Sequence, residues 1–185
     1  KYKNNDAVGN PLFYHYEKTG MISPGTLCFL SVLQDIKTRL VDPHGKSVCE
    51  IGSGYGGQAN IILKYGVKSM DLIDRAQTLG LAKKYLSLYK HPNVSFHDTE
   101  SIELKEYDLV VSNWCLSELD RKGIKFYIDN VIKTCNYGYF LINFRDENKQ
   151  QWMIDELNKI FSNVVLEEEN PPTNEIKNYV LLCSK

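Results

Sequence analysis

No stretch of this sequence comes near the ~20 consecutive apolar residues that cross a bilayer, and no charged-then-apolar signal segment opens it. The expectation is a cytoplasmic protein with no membrane partner. An excess of either charge is missing too, since 22 lysines and arginines meet 23 aspartates and glutamates for a net charge of −1. Such a balance supplies no cationic field for a phosphate backbone and argues against a nucleic-acid partner. Cysteine is sparse, odd in number at 5, and scattered over Cys28, Cys49, Cys115, Cys135 and Cys183. That excludes a disulfide framework and reads as reduced core thiols in a reducing compartment. The histidines and carboxylates show no close metal-ligand spacing, so no metal is assigned. Internal repeats and low-complexity tracts are absent. The first residues, Lys1-Tyr2-Lys3-Asn4-Asn5, include no initiating methionine, which fits a domain taken from a longer, multidomain chain.

What is present fits one compact domain over 1–185. With 43% apolar and 11% aromatic residues, 185 residues bury one sizeable core, whereas two domains would each be thin. Ser23-Pro24-Gly25-Thr26 reads as a helix start, with Ser23 as cap and Pro24 at the first helical position. Phe29, Leu33, Ile36 and Leu40 follow at helical spacing, so residues 1–45 form a helical segment covering the site. Asp42-Pro43-His44-Gly45 breaks this helix, and 46–185 form the core. There Ser47 to Ile51 is a buried strand, Gly57 to Tyr65 a helix closed by Gly66, and Ser69 to Ile73 a strand. Thr78 to Leu88 is a helix, and Val94 to Phe96 and Tyr107 to Val111 are strands. Asp120 caps a helix carrying Ile124, Tyr127, Ile128, Val131 and Ile132. Asn136-Tyr137-Gly138 then turns into the strand Tyr139 to Ile142. After a helix over 148–161, strands at Val164 to Glu168 and Tyr179 to Cys183 have only a loop between them. The alternation predicts an α/β, Rossmann-like doubly wound sheet of seven strands, mostly parallel, with an antiparallel C-terminal hairpin.

The run Glu50-Ile51-Gly52-Ser53-Gly54-Tyr55-Gly56-Gly57 is the richest in chemistry. Glycines between strand and helix let a ligand approach the backbone and meet the free N–H groups of the helix. Gly52, Gly54 and Gly57 also satisfy the dinucleotide pattern, with Asp74 about 20 residues on for a ribose hydroxyl, so a nicotinamide cofactor competes. Glu50 shifts the balance, because its carboxylate can take an ammonium group that a dinucleotide does not have. Asp98, after the third strand, can accept from an adenine amino group, and the terminal hairpin is the third discriminating feature.

These residues resemble class I S-adenosylmethionine-dependent methyltransferases, and within them the sugar O-methyltransferase group. The similarity rests on the glycine run, on Asp71-Leu72-Ile73-Asp74 with Leu81-Ala82-Lys83-Lys84-Tyr85-Leu86, on Asp108-Leu109-Val110-Val111-Ser112 with Ser117-Glu118-Leu119, and on Tyr139-Phe140-Leu141-Ile142-Asn143. The chain departs from that group at Ser112, where an asparagine usually closes the fourth strand, and at Leu116, where an aromatic usually sits. The resemblance implies that Glu50, Gly52, Gly54 and Gly56 line the methionine end of S-adenosylmethionine, Asp74 its ribose and Asp98 its adenine. Ser53, Tyr55, Arg75, Thr99 and Asn113 complete the cofactor site. It implies a small-molecule acceptor, a sugar or nucleotide-sugar hydroxyl.

Since the cofactor's sulfonium is already electrophilic, the protein has chiefly to align the acceptor and exclude water. A sugar hydroxyl also needs a base within reach. Glu118 and His15 are the candidates for that role, with Tyr14, Trp114 and Asn143 as walls of the acceptor pocket. Plainer readings stand beside these. Asp74 can cap a helix, Asp98 can form a turn, Glu118 can stabilise a helix start, and His15 can be a surface histidine. Asn170-Pro171-Pro172-Thr173 reads as a turn, Cys115 as a buried thiol, and His44 and His91 receive no role. Two rival functions remain: a nicotinamide-dependent oxidoreductase domain, and a methyltransferase-like module without chemistry.

Overall fold

The computed structural model describes residues 2–100, 102, 105–173 and 177–185. Its centre is a seven-stranded sheet made of β3 (Ser47–Ile51), β4 (Ser69–Asp74), β5 (Val94–Asp98), β6 (Leu109–Asn113), β7 (Tyr137–Ile142), β8 (Asn163–Glu168) and β9 (Tyr179–Ser184). The spatial order is β5-β4-β3-β6-β7-β9-β8. From β5 to β7 every pairing is parallel, whereas β9 runs antiparallel between β7 and β8. The expected architecture is therefore observed, including the terminal hairpin.

Helices cover both faces, as parallel crossovers require. α1 (Pro24–Asp35), α2 (Gly57–Tyr65) and α3 (Ala76–Ser87) pack on one side, where Leu33, Ile62 and Leu86 meet Val48, Leu72 and Val111. The short α4 (Cys115–Glu118), α5 (Arg121–Asn130) and α6 (Glu147–Leu157) belong to the other, where Ile128 and Met153 meet Cys49, Ile51 and Phe140. Because side chains alternate along a strand, Glu50 shares the α1–α3 face with Val48. Local chemistry starts the helices as read: Ser23 Oγ accepts from Thr26 N at 3.1 Å, and Asp120 Oδ1 from Gly123 N at 2.7 Å. Gly66, at φ +117°, closes α2 in the left-handed conformation open to glycine. No helix among the described residues is long and apolar enough to cross a membrane.

Four expectations need correction. Residues 1–45 are not uniformly helical, because a two-stranded ribbon of β1 (Tyr14–Tyr16) and β2 (Gly20–Ile22) precedes α1. Gly20, at φ +73°, supplies the left-handed residue at its turn. Gly138 is not a turn but lies inside β7, where a Cβ would come within 2.7 Å of the Phe140 ring. β6 starts two residues later than the apolar run suggests, since Asp108 is clamped to Ser47, whose N–H and Oγ–H both reach its Oδ2 at 2.8 Å. At its other end β6 pairs with β7 as far as Asn113, opposite Leu141, so an asparagine does close this strand, one place beyond Ser112. Of the cysteines, Cys49, Cys135 and Cys183 are core residues, but Cys28 and Cys115 are only half-buried.

The N-terminal segment is tied down by buried polar groups. Asn60 Nδ2 donates to Asn5 Oδ1 at 2.7 Å, Asn5 Nδ2 donates to Thr26 Oγ1 at 3.0 Å, and Tyr85 Oη donates to the Asn5 carbonyl at 2.8 Å. Asn5 is 2% exposed and Asn60 fully buried. Replacing Asn60 by alanine orphans groups that water cannot reach, so a loss of about 2–3 kcal/mol is expected from urea unfolding curves.

Candidate functional site

β3 ends where the order of the sheet reverses, with β4 on one side and β6 on the other. In open α/β sheets this is where ligands bind. The chain leaves β3 through Gly52 (φ +78°), Gly54 (φ +53°) and Gly56 (φ +89°), three left-handed residues in one loop before α2. A Cβ on Gly54 would meet nothing within 4 Å, so its backbone is open to a ligand, while Gly52 is pressed against the Cys115 side chain. Above the loop opens a cleft of ≈ 930 Å³. Its wall includes Gly52, Gly54, Asp74, Thr99, Asn113 and Trp114.

Two buried carboxylates on adjacent strands behave differently. Asp71, on β4, receives Lys105 Nζ at 2.7 Å and Tyr107 Oη at 3.0 Å. Glu50, on β3, is 2% exposed, yet its Oε2 has no hydrogen-bond partner among the described residues. Burial, and after it the Asp74 charge, push the Glu50 carboxyl well above the usual carboxylate range. Ser53 Oγ, Asn113 Oδ1 and Trp114 Nε1 are likewise buried and unpartnered. Buried polar atoms are nearly always paired, so four orphans around one glycine loop mark a place built for a polar ligand. Glu50 is behind the cleft wall rather than part of its open surface.

Asp74 closes β4 and does not cap the next helix. Its Oδ2 accepts from Gly54 N at 3.0 Å and its Oδ1 from Arg75 N at 2.8 Å, so it braces the glycine loop while lining the cleft. Arg75 is exposed at the rim. Asp98 shapes a turn, accepting from Glu100 N at 3.2 Å, and Thr99 is the residue that reaches the cleft. Asn113 Nδ2 donates to Gln58 Oε1 at 3.3 Å, which holds the end of β6 against α2. Glu118 faces both the cleft and a smaller polar pocket of ≈ 370 Å³ that Asn143, Arg145 and Lys149 also line.

The remaining candidates are dispersed. Tyr55 and Tyr14 line a different, apolar groove with Leu81 and Leu88. His15 is exposed on β1, outside the lining of the cleft. Residues not anticipated do reach it, among them Thr78, Lys122 and Phe126. Cys115, read as a buried thiol, is half-buried in the cleft wall, where burial raises its thiol to about 11. Helical periodicity assigned Tyr127 to the core, and in fact one edge of it reaches the cleft as well.

No protein-family model and no curated protein sequence matches the chain. Solved structures do. Magnesium protoporphyrin IX methyltransferase (ChlM) from Synechocystis PCC 6803, with S-adenosylhomocysteine bound, superposes with a TM-score of 0.69 at 13% identity, over 88% of this chain and 84% of that one. The N-methyltransferase NodS from Bradyrhizobium japonicum, also with S-adenosylhomocysteine, gives 0.62 at 19% identity, over 87% of both chains. The chain thus has the fold of the class I S-adenosylmethionine-dependent methyltransferases. One of these is a magnesium protoporphyrin IX methyltransferase and the other an N-methyltransferase, so the fold itself singles out no acceptor.

Proposed function

We propose that this protein is a methyltransferase that binds S-adenosylmethionine across the ends of β3, β4 and β5. The observation that carries the proposal is Glu50, a buried carboxylate whose free oxygen stands beside a glycine loop at the sheet's switch point. An ammonium group completes it, as the amino-acid end of this cofactor can. Gly54 leaves room for that end, Asp74 and Arg75 border the ribose position, and Thr99 borders the adenine position. When bound, the cofactor supplies a sulfonium-activated methyl group, whose transfer leaves a neutral thioether and releases the acceptor's proton. The protein's own task is to orient the acceptor, exclude water and take that proton.

Glu118 is the proposed base, since it faces both the cleft and the polar pocket beside it. Asn143 and Lys149 in that pocket suit an acceptor with hydroxyls, which supports a sugar hydroxyl as the methylated group. His15 plays no part in this arrangement. A nicotinamide cofactor fits less well, because the dinucleotide-binding sheet runs in the order 3-2-1-4-5-6 and is mostly parallel, whereas here an antiparallel β9 is inserted between β7 and β8. It would also set a pyrophosphate near an unpaired buried carboxylate.

Thermal unfolding tests the cofactor directly. A ligand present at 100 times its Kd adds about 2.7 kcal/mol to stability. S-adenosylhomocysteine is therefore expected to raise Tm by several degrees and NAD to leave it unchanged; the reverse result would establish the oxidoreductase alternative. A module without chemistry would bind the cofactor and turn over no acceptor.

A further inference from the structure

A further groove, of ≈ 460 Å³, shares Trp114 with the cleft. Four separate parts of the chain build it: Tyr16 on β1, Cys28 on α1, Trp114 after β6, and Pro171 and Pro172 in the loop between β8 and β9. Trp114 belongs to the walls of both cavities. The Asn-Pro-Pro-Thr run, read from sequence as a plain turn, is thus brought against the tryptophan that follows β6.

Trp114 is held in an unusual state. Its φ of +62° is left-handed, a conformation that costs a residue with a Cβ about 1–2 kcal/mol. Its surroundings enforce it: Trp114 N donates to the Leu141 carbonyl at 2.7 Å, and Ser117 Oγ donates to the Trp114 carbonyl at 2.7 Å. Strain fixed at the partition between two cavities points to a role for the partition. The indole Nε1 is buried with no acceptor among the described residues, although buried indole N–H groups usually have one.

The groove's chemistry is narrow. None of its described lining residues carries a formal charge at neutral pH, and apart from the indole its walls are chiefly phenol ring, proline rings, leucine and a thiol. Burial raises the Cys28 thiol to about 11, in keeping with a poorly hydrated wall. A phosphate or diphosphate placed here would lose water and meet no cationic side chain among the described lining residues. A flat aromatic ring would stack on tryptophan and proline faces.

On the reading that the cleft binds S-adenosylmethionine, we propose that this groove is an acceptor subsite for a planar, uncharged aromatic group, with Trp114 as its specificity-determining wall. A free phenol and the aromatic aglycone of a glycoside share that chemistry. Charged nucleotide-sugars do not enter this groove.

The chain has two tryptophans, Trp114 and Trp152, so a Trp152→Phe background makes emission a report from the groove. In that background 7-hydroxy-4-methylcoumarin and its β-glucoside are titrated, with UDP-glucose as the charged comparison. Saturable quenching is expected from a coumarin and none from UDP-glucose; whichever coumarin is then methylated, by mass spectrometry, tells the phenol from the glycoside. Cys28→Phe, which fills the groove, and Pro172→Glu, on its exposed rim, should each weaken coumarin binding at least tenfold. Both should leave the calorimetric affinity for S-adenosylhomocysteine as it was. Wild-type coumarin affinity in both variants, absence of quenching, or equal quenching by UDP-glucose overturns the subsite. Failure of S-adenosylhomocysteine to bind the unmutated protein overturns the cofactor reading instead, and the fluorescence titration remains a separate result.

Discussion

Gly52→Ala is expected to destabilise the protein by about 3 kcal/mol or more and to weaken S-adenosylhomocysteine binding at least ~100-fold. Two costs add. At φ +78° any residue with a Cβ forfeits about 1–2 kcal/mol. The new Cβ would also stand 2.3 Å from Cys115 Cβ and 2.7 Å from its Sγ, closer than atoms can approach. Cys115 cannot simply step aside, because it opens α4 directly after the constrained Trp114. Overpacking of this kind costs about 1–3 kcal/mol and displaces backbone, here the backbone of the ligand wall itself. A double-mutant cycle separates the two costs. Cys115→Gly removes the collision but not the left-handed strain, so the double variant should recover the steric part alone. Urea unfolding and calorimetry on the four proteins check this, and strictly additive single effects would show that the contact is not the cause.

Glu50→Gln should move stability and binding in opposite directions. Burial holds the Glu50 carboxyl above the usual range, so the folded state binds its proton more tightly than the unfolded chain does. Stability from this group is greatest at low pH. It falls as pH rises past the unfolded value near about 4.3, and levels off above the folded one. Glutamine keeps the shape and removes the penalty. Without ligand, Glu50→Gln is therefore expected to gain roughly 2–4 °C in Tm at neutral or higher pH, the shift that about 1 kcal/mol produces in a domain of this size. Affinity for S-adenosylhomocysteine should drop by about 100-fold, because the buried charge that meets the ammonium is gone. In the wild type, binding draws a proton off Glu50, so affinity weakens as pH is lowered; in the variant that dependence should flatten. A variant that loses stability and keeps affinity would make Glu50 a structural residue.

Much of this was legible in the sequence because it is local. Ser23-Pro24 and Asp120 cap helices through neighbours three residues away, and a glycine loop between strand and helix has few other uses. Alternating strands and helices pointed to a mostly parallel sheet, and the final pair without a helix between them to an antiparallel end, whereas the strand order came only with the structure. What escaped lies between residues far apart in the chain. Gly138 looks like a turn in its own neighbourhood and becomes a strand residue only because Phe140 needs the space over it. Nothing near Cys115 announces that Gly52 is its neighbour. Trp114 is unremarkable in Asn113-Trp114-Cys115, and its left-handed backbone follows from contacts to Leu141 and Ser117. His15 could serve as a base only if the N-terminal segment lowered it onto the site, but the β1–β2 ribbon leaves it exposed and outside the cleft lining.

The position of β9 has a consequence for synthesis. This strand, late in sequence, is interior in space, with β7 on one side and β8 on the other. Until residues 179–184 have been made, β7 offers the almost fully buried Phe140, Leu141 and Ile142 on an open edge, and β8 has no strand to join. Unpaired apolar edges recruit foreign strands. A ribosome adds about 5–20 residues each second, so the exposed interval depends on how slowly the codons between β7 and β9 are read. Slow decoding between β7 and β9 would then lower the yield of folded protein without changing a single amino acid.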